Sequence, residues 1–172
     1  MKSTVEFARV HAREMLRDGR AVAAVGLSFV ALLCLFWGVD ALVASATTTS
    51  PGLLRRGIPL VALTGFMAIA FVLTLVPLVR YRSTGVLSAL ATTPAKPGSF
   101  LIAHAGLRFA LVCAEAATLL VLAHALGVRH AAALAVTLVL GGAMMLSFGY
   151  LLAARLANLD VALQLAYLIP MV

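Results

Sequence analysis

Residues 21–39 read AVAAVGLSFVALLCLFWGV and contain no charged side chain. As a helix rising about 1.5 Å per residue, this stretch is about 28 Å long, close to the ~30 Å hydrocarbon core of a bilayer. Trp37 lies near its end, where aromatic residues often mark the interface between membrane and water. The stretch therefore predicts a membrane-spanning helix and indicates the class of the whole chain.

Three further apolar stretches follow, at residues 58–79, 100–126 and 131–154. Another begins at Val161, but it is too short to cross a bilayer before the sequence stops at Val172. The 172-residue chain is 63% hydrophobic and 11% charged, whereas soluble proteins carry about 25% charged residues. We therefore predict an all-α polytopic membrane helix bundle with four complete transmembrane helices and the start of a fifth. We expect one transmembrane domain, residues 21–172, that is truncated at its C-terminal end.

Residues 1–20 form the only substantial charged block before the first apolar stretch. On a helix, one arc of about 80° holds the basic residues Lys2, Arg9, Arg13, Arg17 and Arg20. A neighbouring arc holds the apolar residues Val5, Ala8, Ala12, Met15 and Leu16. This pattern predicts an amphipathic interfacial helix whose basic side chains face anionic lipid headgroups.

The Lys and Arg residues of the whole chain are divided unequally between the two ends of the predicted spans. The N-terminal arm, residues 80–99 and the 155–160 turn carry nine of them, and the opposite side carries three. Cytoplasmic segments are enriched in Lys and Arg, so the N terminus and residues 80–99 are predicted to be cytoplasmic. The net charge of +7 then reflects orientation in a membrane and does not indicate binding to nucleic acid. Arg outnumbers Lys 11 to 2 and Ala is very frequent, which fits a bacterial genome rich in GC and therefore a bacterial inner membrane.

The cytoplasmic connector between spans two and three includes YRSTGVLSALATTPAKPG at residues 81–98. Ser83 or Thr84 is suited to cap a short helix. The apolar face of this helix would be formed by Val86, Leu87 and Leu90. From the residues alone, two interpretations remain open for such a helix. It either docks onto a partner protein or rests on lipid headgroups.

The connector resembles the cytoplasmic loop of ABC-2 type transporter permeases. The family pattern is roughly Arg-Glu-x-Gly-Thr-Leu-Glu-x-Leu-x-x-Thr-Pro, and the matching positions here are Arg82, Gly85, Leu87, Leu90, Thr93 and Pro94. Ser83 and Ser88 stand where the family usually has acidic residues. The resemblance implies that these matching residues, together with Val86, contact an ABC ATPase subunit.

The order of the predicted helices also resembles the first part of an ABC-2 permease, which normally has six spans. This resemblance implies export of a substrate driven by ATP hydrolysis in a separate subunit, with ATP and Mg bound there. It also implies a second permease half, either identical or different. The sequence has no G-x-x-x-x-G-K-[ST] motif, so we expect no cofactor and no enzymatic activity in this chain itself.

The third span contains three ionisable residues, His104, Arg108 and Glu115, that fall on one helix face. Such groups are costly in a bilayer, so we expect them to face protein or water. They could line a substrate path, relay protons or clamp helices together. Two alternative functions therefore stay open: an ion-coupled transporter whose driving force passes through these three residues, and a non-transporting accessory protein. His11 and His130 are expected to be solvated, and no metal site is predicted.

Several residues predict how the spans pack and where they bend. Gly142 and Gly149 lie on one face of span four and favour close approach of another helix. Pro59 is expected in the first turn of span two, after a loop at residues 45–57, and Pro77 is expected to loosen the other end of that span. Asp40, near the end of span one, is either interfacial or part of an exit path.

Overall fold

The computed structural model describes residues 2–17, 19–47, 52–92, 97–128 and 130–168. Within these ranges the chain is helical apart from short turns, and no β-strand occurs. Its elements are α1 (Lys2–Arg17), α2 (Gly19–Thr47), α3 (Leu53–Ala70), a π-helical segment (Phe71–Leu75), α4 (Val76–Ser83), α5 (Val86–Ala91), α6 (Pro97–Ala125), α7 (Ala131–Arg155) and α8 (Leu159–Leu168).

Four helical stretches in the described residues are long and apolar enough to cross a membrane: Val22–Ala46, Leu53–Ser83, Gly98–Ala125 and Ala131–Arg155. The second combines α3, the π-helical segment and α4. These stretches confirm the prediction of an all-α membrane helix bundle with four spans.

The first two spans are longer than predicted, because much of the expected loop at residues 45–57 is helical. Gly52 adopts a left-handed conformation, with φ of 63°, immediately before α3. The first backbone N–H of α3, on Leu53, donates to Asp40 Oδ1 at 3.0 Å, so Asp40 caps this helix. Pro59 therefore lies inside α3, and its placement in the first turn was wrong.

Helix α3 occupies the centre of the bundle and packs against α2, α6 and α7. One apolar core cluster joins these helices around Val61, Phe66 and Leu119. A second apolar core cluster joins the π-helical segment and α4 to α8 and to Ala153 of α7. Close approach of α3 and α7 depends on glycine, since Gly142 and Gly149 both face inward. The prediction that these two glycines share a packing face is confirmed.

The predicted disturbance near Pro77 takes the form of the π-helical segment that precedes it. Proline has no N–H, so in a regular α-helix the Leu73 carbonyl would lose its donor. Here Arg108 Nε donates to that carbonyl at 3.1 Å, and the Thr74 hydroxyl donates to the Ile69 carbonyl at 2.9 Å. The π-helical hydrogen-bond pattern is thus stabilised by the side chain of Arg108 from α6 and by the hydroxyl of Thr74.

Helix α1, the end of α4, the start of α6 and the end of α7 meet at one end of the bundle, which we call the basic end. Its basic side chains in the described residues include Arg9, Arg13, Arg17, Arg80, Arg82 and Arg155. Helix α1 packs on α6 through Phe7. The rings of Phe7 and Phe100 meet edge to face, with their centroids 5.9 Å apart. Val5 and Val10 point away from this contact and are exposed.

Candidate coupling surface and polar cluster

A tight turn separates α4 from α5 at the basic end. The hydroxyls of Ser83 and Thr84 donate back to the Arg80 carbonyl, at 3.0 and 2.8 Å. They therefore complete α4, and the expectation that one of them caps α5 was wrong. Gly85 holds the turn with φ of 75°, a left-handed conformation that favours glycine. The Ser88 hydroxyl donates to the Gly85 carbonyl at 2.7 Å.

Helix α5 presents two different faces. Leu87 and Leu90 are half-buried and pack against the second core cluster of this chain. Val86 is 39% exposed, and Ser88 and Ala89 are exposed as well. Of the predicted ATPase contacts that the structure describes, Val86 is thus the most exposed apolar side chain. Thr93 and Pro94 lie outside the described residues.

Arg82 reaches from the last turn of α4 to the C-terminal end of α7. Its Nη1 donates to the carbonyls of Ala153, Ala154 and Leu156 at 3.1, 3.2 and 3.2 Å. The last carbonyls of a helix have no donor within that helix, so Arg82 supplies one. The sequence pattern assigned Arg82 to the connector motif but contained no signal for this internal contact.

His11 is buried at the contact between α1 and α6, with 2% of its surface exposed. The prediction that it is solvated was therefore wrong, whereas His130 is exposed as predicted. The His11 Nδ1 lies 3.4 Å from Glu14 Oε2, and the same carboxylate oxygen accepts a hydrogen bond from the Tyr81 hydroxyl at 2.7 Å. Burial lowers the pKa of His11, and the hydrogen bond with Glu14 partly opposes this effect.

His104 of α6 continues this polar cluster into the bundle and is fully buried. Its ring stands perpendicular to that of His11, with centroids 5.2 Å apart. On its other side, His104 Nδ1 lies at hydrogen-bond distance, 2.6 Å, from the hydroxyl of Tyr150 in α7. No local signal in the sequence points to Tyr150, which lies forty-six residues from His104 along the chain.

The predicted stripe of three ionisable residues does not act as one connected group. His104 binds α7, whereas Arg108 is buried and donates to the backbone of the π-helical segment. Glu115 lies against the backbone of Gly65 in α3, and its Oε1 is buried without a hydrogen-bond partner in the described residues. The described part of the chain contains no ion pair between Arg108 and Glu115. It also contains no group of three potential metal ligands among His, Cys, Asp and Glu.

An apolar cavity of about 460 Å³, open to the outer surface of the bundle where Met144 and Leu151 are exposed, lies between α3, the π-helical segment and α7. Its lining includes Met67, Phe71, Met144 and Phe148. None of His104, Arg108 and Glu115 lines it. The cavity and the polar stripe are therefore separate features of the bundle.

Comparison with known proteins identifies the chain by family. The model of the family described as ABC-2 type transporter matches residues 9–172, from α1 to the last residue. No curated protein and no solved structure matches the chain. The match covers more than half of the chain and includes all four spans, the α4–α5 turn and the polar cluster. This membrane protein is therefore a member of the ABC-2 type transporter family, whose members are the permease components of ABC-type transport.

Proposed function

We propose that this chain is the membrane-spanning half of an exporter that moves substrate outward with ATP hydrolysed by a separate subunit. Family membership is the observation that carries the proposal, because ABC-2 permeases work with an ABC ATPase subunit. The chain itself has no phosphate-binding loop motif. ATP and Mg would therefore be bound by the partner.

The orientation that we propose places the basic end of the bundle in the cytoplasm of a bacterium, at its inner membrane. The nine-to-three division of Lys and Arg supports this orientation. Helix α1 and the α4–α5 turn would then both face the compartment in which ATP is available.

Helix α5 is the proposed contact with the ATPase. Leu87 and Leu90 hold it against the bundle, which leaves Val86 and Ala89 directed outward. Covering the exposed part of Val86 would contribute on the order of 1 kcal/mol. Gly85 would keep the turn tight. Thr93 and Pro94 are proposed as further contacts with the ATPase, and only their match to the family pattern supports this role.

A second permease half, identical or different, is proposed to complete the transport pathway together with lipid. In α2 the exposed apolar side chains include Leu27, Leu35 and Leu42. In a membrane such a surface is covered by lipid or by another helix. Helix α2 packs on α3 along one side, which leaves the rest of its surface open to either.

The test is co-purification of the full chain with an ABC ATPase, followed by measurement of ATP-dependent transport. Val86→Asp would place a carboxylate in an apolar contact, so we expect it to weaken the association roughly tenfold or more. Val161→Asp is the matched control, because Val161 is also 39% exposed and lies on another helix, beside Asp160. The proposal is wrong if no ATPase binds the unaltered chain, or if Val86→Asp and Val161→Asp bind it equally well.

An ion-coupled transporter is the second candidate, and the observation that favours it is the buried Oε1 of Glu115, which has no hydrogen-bond partner in the part of the chain that the structure describes. Glu115→Gln removes the titratable group at nearly constant size. An ATP-driven exporter should retain ATP-dependent transport with this change. An ion-coupled transporter should lose transport under a proton gradient, and an accessory protein should show no transport in either assay.

A further inference from the structure

We propose that Arg82 is a positioning residue that ties the base of α5 to the end of α7, so that a movement of α5 displaces two membrane spans together. The inference rests on the proposed function, because it assumes that an ATPase acts on α5. It concerns a residue that the family pattern assigns to the partner contact. The structure uses its guanidinium within the chain instead.

Three physical features favour this contact, although the Arg82 residue itself is exposed. Arg82 Nη1 lies within 3.1–3.2 Å of three carbonyl oxygens, and its two hydrogens are shared among them. Two of these carbonyls, on Ala153 and Ala154, belong to the last turn of α7, where helices lack internal donors. The positive charge also lies at the negative end of the α7 dipole.

The segment between Arg82 and α5 is short and held by hydrogen bonds. Ser83 and Thr84 both bond back to α4, and the Ala89 N–H donates to the Gly85 carbonyl at 3.0 Å. The half-buried Leu87 packs against the same core cluster that contains Ala153. Because no flexible linker separates α5 from Arg82, a displacement of α5 would move Arg82 as well.

From the end of α7, further polar contacts lead into the bundle. Tyr150 lies one turn above the carbonyls that Arg82 binds, and its hydroxyl contacts His104 of α6 at 2.6 Å. One turn further along α6, Arg108 binds the Leu73 carbonyl in the π-helical segment. Arg82 thus stands at the start of a series of hydrogen bonds that joins α4, α7, α6 and the π-helical segment.

Arg80 provides a matched control for the charge of Arg82. It lies two residues earlier in α4, is exposed, and its side chain makes no hydrogen bond among the described contacts. Arg80→Gln therefore removes the same positive charge from the same end of the bundle. It leaves the three hydrogen bonds to α7 in place.

The functional experiment uses the full chain assembled with its ATPase and measures association, ATP turnover and substrate transported per ATP. We expect Arg82→Gln to keep ATPase association and ATP turnover, while transport per ATP falls roughly tenfold, because charge-assisted hydrogen bonds are lost. Arg80→Gln should behave as the unaltered chain. Arg82→Lys should recover part of the coupling, since an ammonium group also offers several donors.

A distance measurement tests the contact between Arg82 and the end of α7 without relying on the ATPase. With Cys34 and Cys113 replaced by alanine, spin labels at the exposed positions Ala89 and Arg155 report the separation of α5 from the end of α7. We expect one narrow distance distribution in the unaltered chain and in Arg80→Gln, and a broader one in Arg82→Gln.

Three results would overturn the inference: loss of ATPase association in Arg82→Gln, unchanged transport per ATP in that variant, or equal defects in Arg80→Gln. The first would show that Arg82 contacts the ATPase directly. An unaltered chain that binds no ATPase would instead refute the proposed function. The spin-label distances would then test only whether Arg82 holds α5 to the end of α7.

Discussion

Replacing Gly149 by alanine should force α7 away from α3 at the point where the π-helical segment begins. A Cβ atom at Gly149 would lie 2.6 Å from the carbonyl oxygen of Ala70, whereas ordinary van der Waals contact starts at 3.4 Å. Ala70 is fully buried, and its carbonyl belongs to the backbone, so no side chain can rotate to make room. The two backbones must therefore separate by up to ~0.8 Å, which loosens the surrounding contacts.

The expected loss of stability follows from comparison with Gly141 in the same helix. A Cβ at Gly141 meets no atom within 4 Å. Both substitutions gain about 1 kcal/mol of helix propensity, and this gain cancels when the variants are compared. The remaining difference is the overpacking term of about 1–3 kcal/mol. Gly149→Ala should thus have a folded-to-unfolded ratio roughly 5- to 150-fold below that of Gly141→Ala.

The assay is reversible unfolding in mixed micelles titrated with sodium dodecyl sulfate, followed by far-UV circular dichroism. Gly142→Ala should also be less stable than Gly141→Ala, because its Cβ would overlap the fully buried side chain of Val112. Equal stability of Gly141→Ala and Gly149→Ala would refute the close backbone contact between α3 and α7.

Three further predictions concern the polar groups. Burial lowers the pKa of His11 below its ordinary value of 6.5, so docking of α1 should be complete above pH 6.5 and weaken as the pH falls below it. Hydrogen exchange of α1 measures this, and His11→Phe should abolish the pH dependence. Gly65→Ala should destabilise the bundle because its Cβ would overlap the Glu115 carboxylate, and adding Glu115→Ala should restore stability in the same unfolding assay. Tyr150→Phe should cost about 1–3 kcal/mol by leaving a buried imidazole nitrogen without its partner, whereas Tyr167→Phe, at an exposed position, should be neutral.

Some features of the candidate site were visible in the sequence as local patterns. Gly142 and Gly149, seven residues apart, do share the buried face of α7. Other features were not visible. His11 lies on a helix whose apolar and basic arcs were clear, but an imidazole is compatible with either water or protein. Its burial depends on Phe100 and His104, which reach it from a helix some ninety residues away.

The sequence by itself determined the membrane class, the four spans and the excess of basic residues at one end. These properties follow from transfer of each stretch into lipid, which depends on the length and polarity of contiguous residues. Only the tertiary structure decided which groups Arg82, Arg108 and Glu115 contact. Each of these side chains meets a helix that is distant in the chain, and the meeting depends on how closely glycine and alanine allow the helices to pack.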